Sequence, residues 1–354
     1  MFYRECGQFK SGYAADQAIF PILQDKIAMG VLLAVAFLVV PFVANEYWLG
    51  SILIPFLILS LAAIGLNILT GYAGQLSLGS AAFMAVGAFA AYNFALRLPM
   101  LPLVVDFILA GVVAAAVGIL FGLPSLRIKG FYLAVATLAA QFFITWGLTR
   151  FGWFSNNSAS GVITAPRIVM FGYELTSASS RYLLTLSIVA VFALLAKNMV
   201  RSQIGRAWMA IRDMDIAAEV IGIKMLNTKL LAFAVSSFYC GVAGALWAFL
   251  YLGTVDAQAF DLNRSFEILF MIIIGGVGSI LGSFLGAAFI VLLPIFLNVV
   301  AGLFGSSLHA DTASHFEVMI FGALIIFFLI VEPHGLARLW QITKEKLRLW
   351  PFPH

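Results

Sequence analysis

Residues 51–69 read SILIPFLILSLAAIGLNIL and contain no charged side chain. An apolar run of roughly 20 residues is long enough, as an α-helix, to cross the hydrocarbon core of a bilayer. Similar runs recur along the chain of 354 residues, of which 63% are hydrophobic and 10% are charged. A water-soluble particle of this size could not bury so many apolar side chains. The sequence therefore predicts an all-α polytopic membrane protein and excludes a soluble enzyme, a disulfide scaffold and a disordered chain.

About ten transmembrane spans can be marked out from the apolar runs. They cover residues 27–44, 51–69, 79–96, 103–122, 131–148, 182–200, 229–251, 266–281, 283–305 and 317–331. The chain thus divides into an N-terminal segment (1–26), a transmembrane domain (27–331) and a basic tail (332–354). No Asp, Glu, Lys, Arg or His lies near the middle of a predicted span. Proton-driven carriers usually need such residues, so another source of energy is expected.

The distribution of Lys and Arg predicts the orientation of the spans. If the N-terminus is cytoplasmic, the basic loop 201–228 and the basic tail are cytoplasmic too, and only the outer loop 149–181, with Arg150, Arg167 and Arg181, runs against the positive-inside rule. The positive-inside rule therefore favours cytoplasmic N- and C-termini. Spans one to five and six to ten then have opposite orientations, as an inverted five-plus-five repeat requires. Even helix numbers are common, so the repeat is a hypothesis at this point.

Polar residues interrupt the apolar pattern at residues 65–80, which read GLNILTGYAGQLSLGS. Glycine allows a helix to break, and backbone groups freed at membrane depth must line a cavity or bind other protein groups. One interpretation is a broken helix beside a transport pathway, and the other is a short polar turn in the cytoplasm. In the fifth span, Thr137 and Gln141 share a helical face, where they would bind a polar solute group or neighbouring helices. The residues expected to line a pathway are Asn67, Gln75, Ser77, Thr137 and Gln141.

A second glycine-rich stretch, GGVGSILGSFLG at 275–286, does not have the spacing of a dinucleotide or phosphate-binding loop. Gly278, Gly282 and Gly286 recur every four residues. Small residues on one helical face allow two backbones to approach closely, so helix packing is favoured over ligand contact. The four His residues lack metal-ligand spacing and two Cys residues make no metal site, so neither a bound metal nor a catalytic centre is predicted.

The loop 201–228 is predicted to form one or two short amphipathic helices. Ala207, Ile211, Met214, Ala218 and Ile221 would form their apolar stripe, and Gly222 would end the helix. Such a helix lies on the membrane surface or docks into a groove on a partner. The pattern alone leaves both possibilities open.

Several blocks of the sequence resemble one known family. Residues 217–222, AAEVIG, resemble the Ala-Ala-x-x-x-Gly part of the cytoplasmic signature of bacterial ABC importer permeases, with Ile216 in place of the usual leading Glu. The wider stretches 205–219, 229–233 and 241–246 look like the branched-chain amino acid permeases, LivM-like subunits in particular. Their pattern is also matched at 71–79, 130–138, 275–279 and 332–336, although His334 stands where Arg is more usual.

The resemblance implies a permease subunit of an ATP-driven importer in the inner membrane of a bacterium. A second related permease and two cytoplasmic ATPases would assemble with it, and the ATPases would bind ATP and Mg, leaving this chain without a cofactor. A periplasmic binding protein would deliver branched-chain or other small amphipathic amino acids. The residues expected to couple the chain to the ATPases are Arg206, Arg212, Ala217, Ala218 and Gly222.

Membrane lipid is the other expected partner, and no binding to nucleic acid is predicted. The alternative function is a stand-alone secondary carrier or channel for a small neutral solute, such as urea or an amide. Such a protein would need no ATPase, so its 201–228 loop should tolerate heavy substitution.

Overall fold

The computed structural model describes residues 11–12, 23–125, 131–156, 158, 162–166, 169–170, 173–174, 176–303, 319–320, 322–323, 326–327, 330 and 335–349. Its principal helices are α1 (Leu23–Ala34, continuing through a π turn at Val35–Val39 into Val40–Val43), α2 (Trp48–Tyr72), α3 (Ser80–Arg97), α4 (Leu103–Ser125), α5 (Phe131–Arg150), α6 (Ala178–Arg201), α7 (Gln203–Asp213), α8 (Asp215–Val220), α9 (Met225–Leu252), α10 (Leu262–Gly275), α11 (Ile280–Leu303) and α12 (Gly335–Leu349).

Seven of the described helices are long and apolar enough to cross a membrane, namely α1, α2, α4, α5, α6, α9 and α11. This confirms the all-α polytopic class predicted from the composition. The predicted span 266–281 has the wrong bounds, because α10 ends at Gly275 and the backbone turns at Gly276 with φ of +123°. The predicted span 317–331 and the segment 1–26 lie largely outside the described residues.

The core lies around α2 and α9, where small residues allow helix backbones to come close together. In α2, Ile58 and Ile64 are fully buried. A Cβ atom added at Gly244 of α9 would overlap the carbonyl of Met84 in α3. A Cβ atom at Gly87 of α3 would likewise overlap the carbonyl of Gly241 in α9. This close contact fixes α3 against α9 and so fixes the chain that leads into α3.

Short strands connect the loops at one end of the bundle. Strand β1 (Ile163–Thr164) pairs antiparallel with β4 (Thr254–Val255), and β2 (Val169–Met170) pairs antiparallel with β3 (Tyr173–Glu174). The β1–β4 pair holds the loop between α5 and α6 against the chain that leaves α9. A 3-10 turn at Ala257–Phe260 then leads into α10.

Candidate functional site

The first structural break in the bundle lies between α2 and α3. Helix α2 ends in a π turn at Ile68–Tyr72, and Gly74 then takes the left-handed conformation with φ of +68°. Gln75 and Ser77 follow in non-helical backbone and are 4% and 2% exposed. The structure therefore has a broken helix with buried polar side chains here, rather than an exposed polar turn.

Side chains from two other helices hold the N-terminus of α3. The backbone N–H of Leu78 donates to Thr137 Oγ1 at 2.9 Å, and that of Ala82 donates to Gln141 Oε1 at 2.7 Å. Ser265 of α10 accepts from the N–H of Ala81 at 2.9 Å. The first N–H groups of a helix have no partner within the helix, and no water solvates them in a membrane interior. Thr137 and Gln141 thus replace solvent at this helix end.

Gln75 differs from these two residues in its bonding. Its side-chain oxygen and nitrogen are buried and have no hydrogen-bond partner within the described part of the chain, and the same holds for the hydroxyl of Ser80. Ser77 accepts a hydrogen bond from the N–H of Gly79 at 3.3 Å. Buried polar groups are normally paired. Gln75 and Ser80 are therefore free to contact a polar group that enters the break.

Asn67 does not belong to this group of side chains, although the sequence placed it there. It lies on α2 and binds the second break, between α10 and α11. Its Oδ1 accepts from the N–H of Gly278 at 2.8 Å, and its Nδ2 donates to the Ser279 carbonyl at 2.8 Å and to Ser283 Oγ at 2.9 Å. At 1% exposure, Asn67 is a buried joint between α2 and the second break.

Gly278, Gly282 and Gly286 were expected to share one face of a helix, but Gly278 is not part of that helix. Gly278 lies in the turn before α11 with φ of +80°, because the helix begins only at Ile280. Gly282 and Gly286 lie within α11 and face α10. A Cβ atom at Gly282 would stand 2.7 Å from the Gly275 carbonyl oxygen, and one at Gly286 would overlap the Met271 carbonyl. The two helices approach each other closely at these positions.

The 201–228 loop forms two helices, α7 and α8, which separate at Met214. Met214 has extended backbone (φ −151°, ψ 96°), so α8 does not continue the helical face of α7. Trp208 is fully buried and donates from Nε1 to the Thr228 carbonyl at 3.0 Å. The predicted apolar stripe is divided, because Ile211 and Ala218 are 4% and 2% exposed whereas Met214 and Ile221 are 71% and 73% exposed.

The five expected coupling residues do not share one surface. Arg206, Arg212, Ala217 and Gly222 are exposed, whereas Ala218 is 2% exposed. Arg212 extends towards the first break, where its Nη1 donates to the Gly71 carbonyl at 2.8 Å. Its Nε also pairs with Asp213 at 2.9 Å. Arg212 thus binds this chain itself through its guanidinium.

A comparison with known protein families identifies the family of the chain. Residues 48–329 match the family model described as the branched-chain amino acid transport system / permease component. The chain belongs to this permease family.

Three relatives of this permease have names that describe branched-chain amino acid transport. One relative is the high-affinity branched-chain amino acid transport system permease protein LivM of Salmonella typhimurium (strain LT2). It is 28% identical over an alignment of 366 positions, which covers 94% of this chain and 80% of the relative. LivM of Escherichia coli (strain K12) shows the same identity and coverage. The probable branched-chain amino acid transport permease protein LivM of Methanocaldococcus jannaschii is 25% identical, over 81% of this chain and 92% of the relative. No solved structure matches the chain significantly.

Sequence reasoning missed three side chains of the permease. They are Ser265 at the first break, Ser283 at the second break and Trp208 on the α7–α8 segment. Ser265 and Ser283 lie within otherwise apolar helices, and a lone serine there carries little signal because it often bonds its own helix. Trp208 carried a signal, since a tryptophan within a charged loop is frequently an anchor for that loop. Its full burial on the permease is consistent with that role.

Proposed function

We propose that the chain is the transmembrane permease subunit of an ATP-driven importer for branched-chain or other small amphipathic amino acids. A second related permease and two ATPases complete the complex, and a periplasmic binding protein delivers the solute. ATP and Mg bind the partner ATPases, and this chain carries out no bond chemistry. Family membership supports the transport function.

The exposed end of the α7–α8 segment is the observation that carries the proposal. Met214, Ile216, Val220 and Ile221 are between 71% and 83% exposed. The segment is anchored through Trp208, so these apolar side chains are presented outward from a fixed base. A cluster of large exposed apolar side chains is typical of a surface that docks into a partner's groove.

Charge favours an ATPase partner over the membrane surface at this end of the segment. Asp213 has a side chain that is 64% exposed, and Glu219 is exposed as well. The anionic lipids of a cytoplasmic leaflet repel carboxylates and attract Lys and Arg. In residues 203–224 the carboxylates Asp213, Asp215 and Glu219 offset the cations Arg206, Arg212 and Lys224, so the segment has no excess of positive charge that would hold it on anionic lipid. Gly222, with φ of +92° and open space around it, ends the docking surface.

We assign about ten spans to the domain 27–331, with both termini cytoplasmic and the protein in a bacterial inner membrane. An inverted five-plus-five repeat is supported by a feature that the two halves share. Helix α2 ends in a π turn followed by Gly74 at φ +68°, and α9 ends in the π turn Trp247–Leu252 followed by Gly253 at φ +69°. The second and seventh spans occupy equivalent positions in such a repeat.

The solute pathway is proposed to pass the first break, beside Gln75, Ser77, Thr137 and Gln141. The unpaired amide of Gln75 suits a polar group of an amino acid, and the surrounding apolar helices suit its side chain. If Gln75→Ala and Gln141→Ala both leave the rate and the KM of uptake unchanged, the pathway does not pass here.

Copurification tests the proposed function most directly. The native protein is extracted in mild detergent, and the chains that copurify with it are identified by mass spectrometry. The purified assembly is then reconstituted in vesicles and supplied with ATP, binding protein and radiolabelled leucine. Two ATPases, a second permease and ATP-dependent uptake support the importer. Uptake that persists without ATP, by a chain that purifies alone, refutes it in favour of the carrier.

A further inference from the structure

Arg212 lies between the exposed end of the α7–α8 segment and the membrane-embedded part of the protein. It is in the last turn of α7, two residues before the exposed Met214. Its guanidinium reaches the carbonyl of Gly71 in the last turn of α2. One side chain therefore connects the segment proposed to meet the ATPases with the helix that ends at the first break.

The Gly71 carbonyl is a suitable acceptor for a cation. It lies in the π turn that ends α2, where carbonyl groups lack partners within the helix and the helix dipole is negative. A hydrogen bond from a charged donor is stronger than one between neutral groups. The contact between Arg212 and Gly71 therefore joins the end of α2 to the end of α7.

The Arg212 side chain lies between two glycines, Gly74 and Gly278. Gly74 lies beside it, and a Cβ atom there would stand 2.9 Å from Arg212 Cγ. On the other side, a Cβ atom at Gly278 would stand 3.5 Å from both Arg212 Nη1 and the Gly71 carbonyl oxygen. Gly74 belongs to the first break and Gly278 to the second. The guanidinium therefore lies where the two breaks meet.

The connection continues from Gly71 to the second break through Asn67. Asn67 lies one helical turn before Gly71 and binds Gly278, Ser279 and Ser283 by the three hydrogen bonds described above. A displacement of α7 that pulls on the Gly71 carbonyl would act on both breaks at once. Chains of packed side chains and hydrogen bonds of this kind carry energetic coupling between distant sites when they join elements that take discrete arrangements.

We propose that Arg212 is a positioning residue that transmits motion of the α7–α8 segment to the two helix breaks, through the Gly71 carbonyl and Asn67. The proposal rests on the proposed function, because an ATPase must move the segment. It differs from the sequence-based expectation that Arg212 contacts the ATPase. Arg206, Ala217 and Gly222 keep the expected role of contacting the ATPase, whereas Arg212 acts through its contact with Gly71 of its own chain.

The experiment compares four forms of the full importer in vesicles: wild type, Arg212→Gln, Arg212→Lys and Lys224→Gln. Lys224 is an exposed cation of the same segment, so Lys224→Gln is the matched control for loss of one positive charge. Assembly with the ATPases, ATP hydrolysis and leucine uptake are measured on each preparation. The decisive quantity is the number of solutes transported per ATP hydrolysed.

We expect Arg212→Gln to assemble and to hydrolyse ATP, but to transport about tenfold fewer solutes per ATP, as loss of one charge-assisted hydrogen bond predicts. Arg212→Lys keeps a cationic donor and should recover part of the ratio, and Lys224→Gln should match wild type. A wild-type ratio in Arg212→Gln overturns the proposal. So does a parallel loss of assembly and hydrolysis, which would make Arg212 a docking or folding residue. Failure of the proposed function is recognised separately, because the wild-type importer itself would then show no ATP-dependent uptake.

Discussion

The joint at Asn67 gives the sharpest test of the fold, through the variant Asn67→Ala. This change removes three hydrogen bonds of 2.8–2.9 Å and leaves the N–H of Gly278 without its acceptor. Side-chain hydrogen bonds within membrane proteins contribute on average about 0.6 kcal/mol and at most about 1.7 kcal/mol. Three of them give a destabilisation of roughly 2–5 kcal/mol. The free energy of unfolding is measured by titration with SDS in mixed micelles, followed by circular dichroism.

A double-mutant cycle isolates one of these bonds. Ser283→Ala removes one of the acceptors of Asn67 Nδ2, together with the long 3.5 Å bond from Ser283 Oγ to the Ser279 carbonyl. The coupling energy between the two variants should be about 0.6–1.7 kcal/mol. Asn263→Ala is the control, because Asn263 is exposed and its side chain donates to Asp261 within its own turn. We expect that control to change stability by less than about 0.5 kcal/mol. Additive effects of Asn67→Ala and Ser283→Ala, within about 0.3 kcal/mol, would refute the joint.

Three further substitutions test other parts of the argument. Gly286→Val places a side chain against a backbone carbonyl of α10 and should abolish folded protein in the membrane. The control Gly147→Val lies in open space and should be tolerated. Equal yields of the two proteins would contradict the close packing. Trp208→Ala removes a fully buried side chain and should lower the stability of the fold by about 3–5 kcal/mol. Limited proteolysis should therefore cut the loop 201–228 far faster in this variant than in the control Trp340→Ala, whose substituted residue is exposed. Gly222→Val forces a β-branched residue to φ of +92°, and uptake should fall while ATP hydrolysis continues; unchanged uptake would remove Gly222 from the docking surface.

The sequence predicted the class of the protein because the bilayer imposes a simple rule on composition. Long runs without charge must be helical in a membrane, since each backbone group has to be paired within its own segment. Residues 51–69 show this, as they form most of α2. The resemblance at 71–79, 217–222 and 275–279 predicted the family, which the match over 48–329 then confirmed.

The sequence offered a broken helix at 65–80 as one of two interpretations, and it misjudged the span at 266–281. A glycine-rich polar stretch is easily recognised between apolar runs. The break at 276–279 lies within an apolar run, so hydrophobicity alone extended the predicted span across it. Only the positive φ angles of Gly276 and Gly278 show that the helix ends there.

Residue types and their order along the chain determined the membrane class, the approximate spans, the family and the glycine-rich polar stretch at 65–80 where a helix can break. Tertiary structure alone decided which groups those polar side chains bind. Asn67 and Gln75 are eight residues apart, yet Asn67 binds the second break, while the side chain of Gln75 at the first has no hydrogen-bond partner among the described residues. Arg212 likewise binds Gly71, far away in the sequence. The physical reason is that a hydrogen bond depends on distances of about 3 Å between atoms, and helix packing sets those distances.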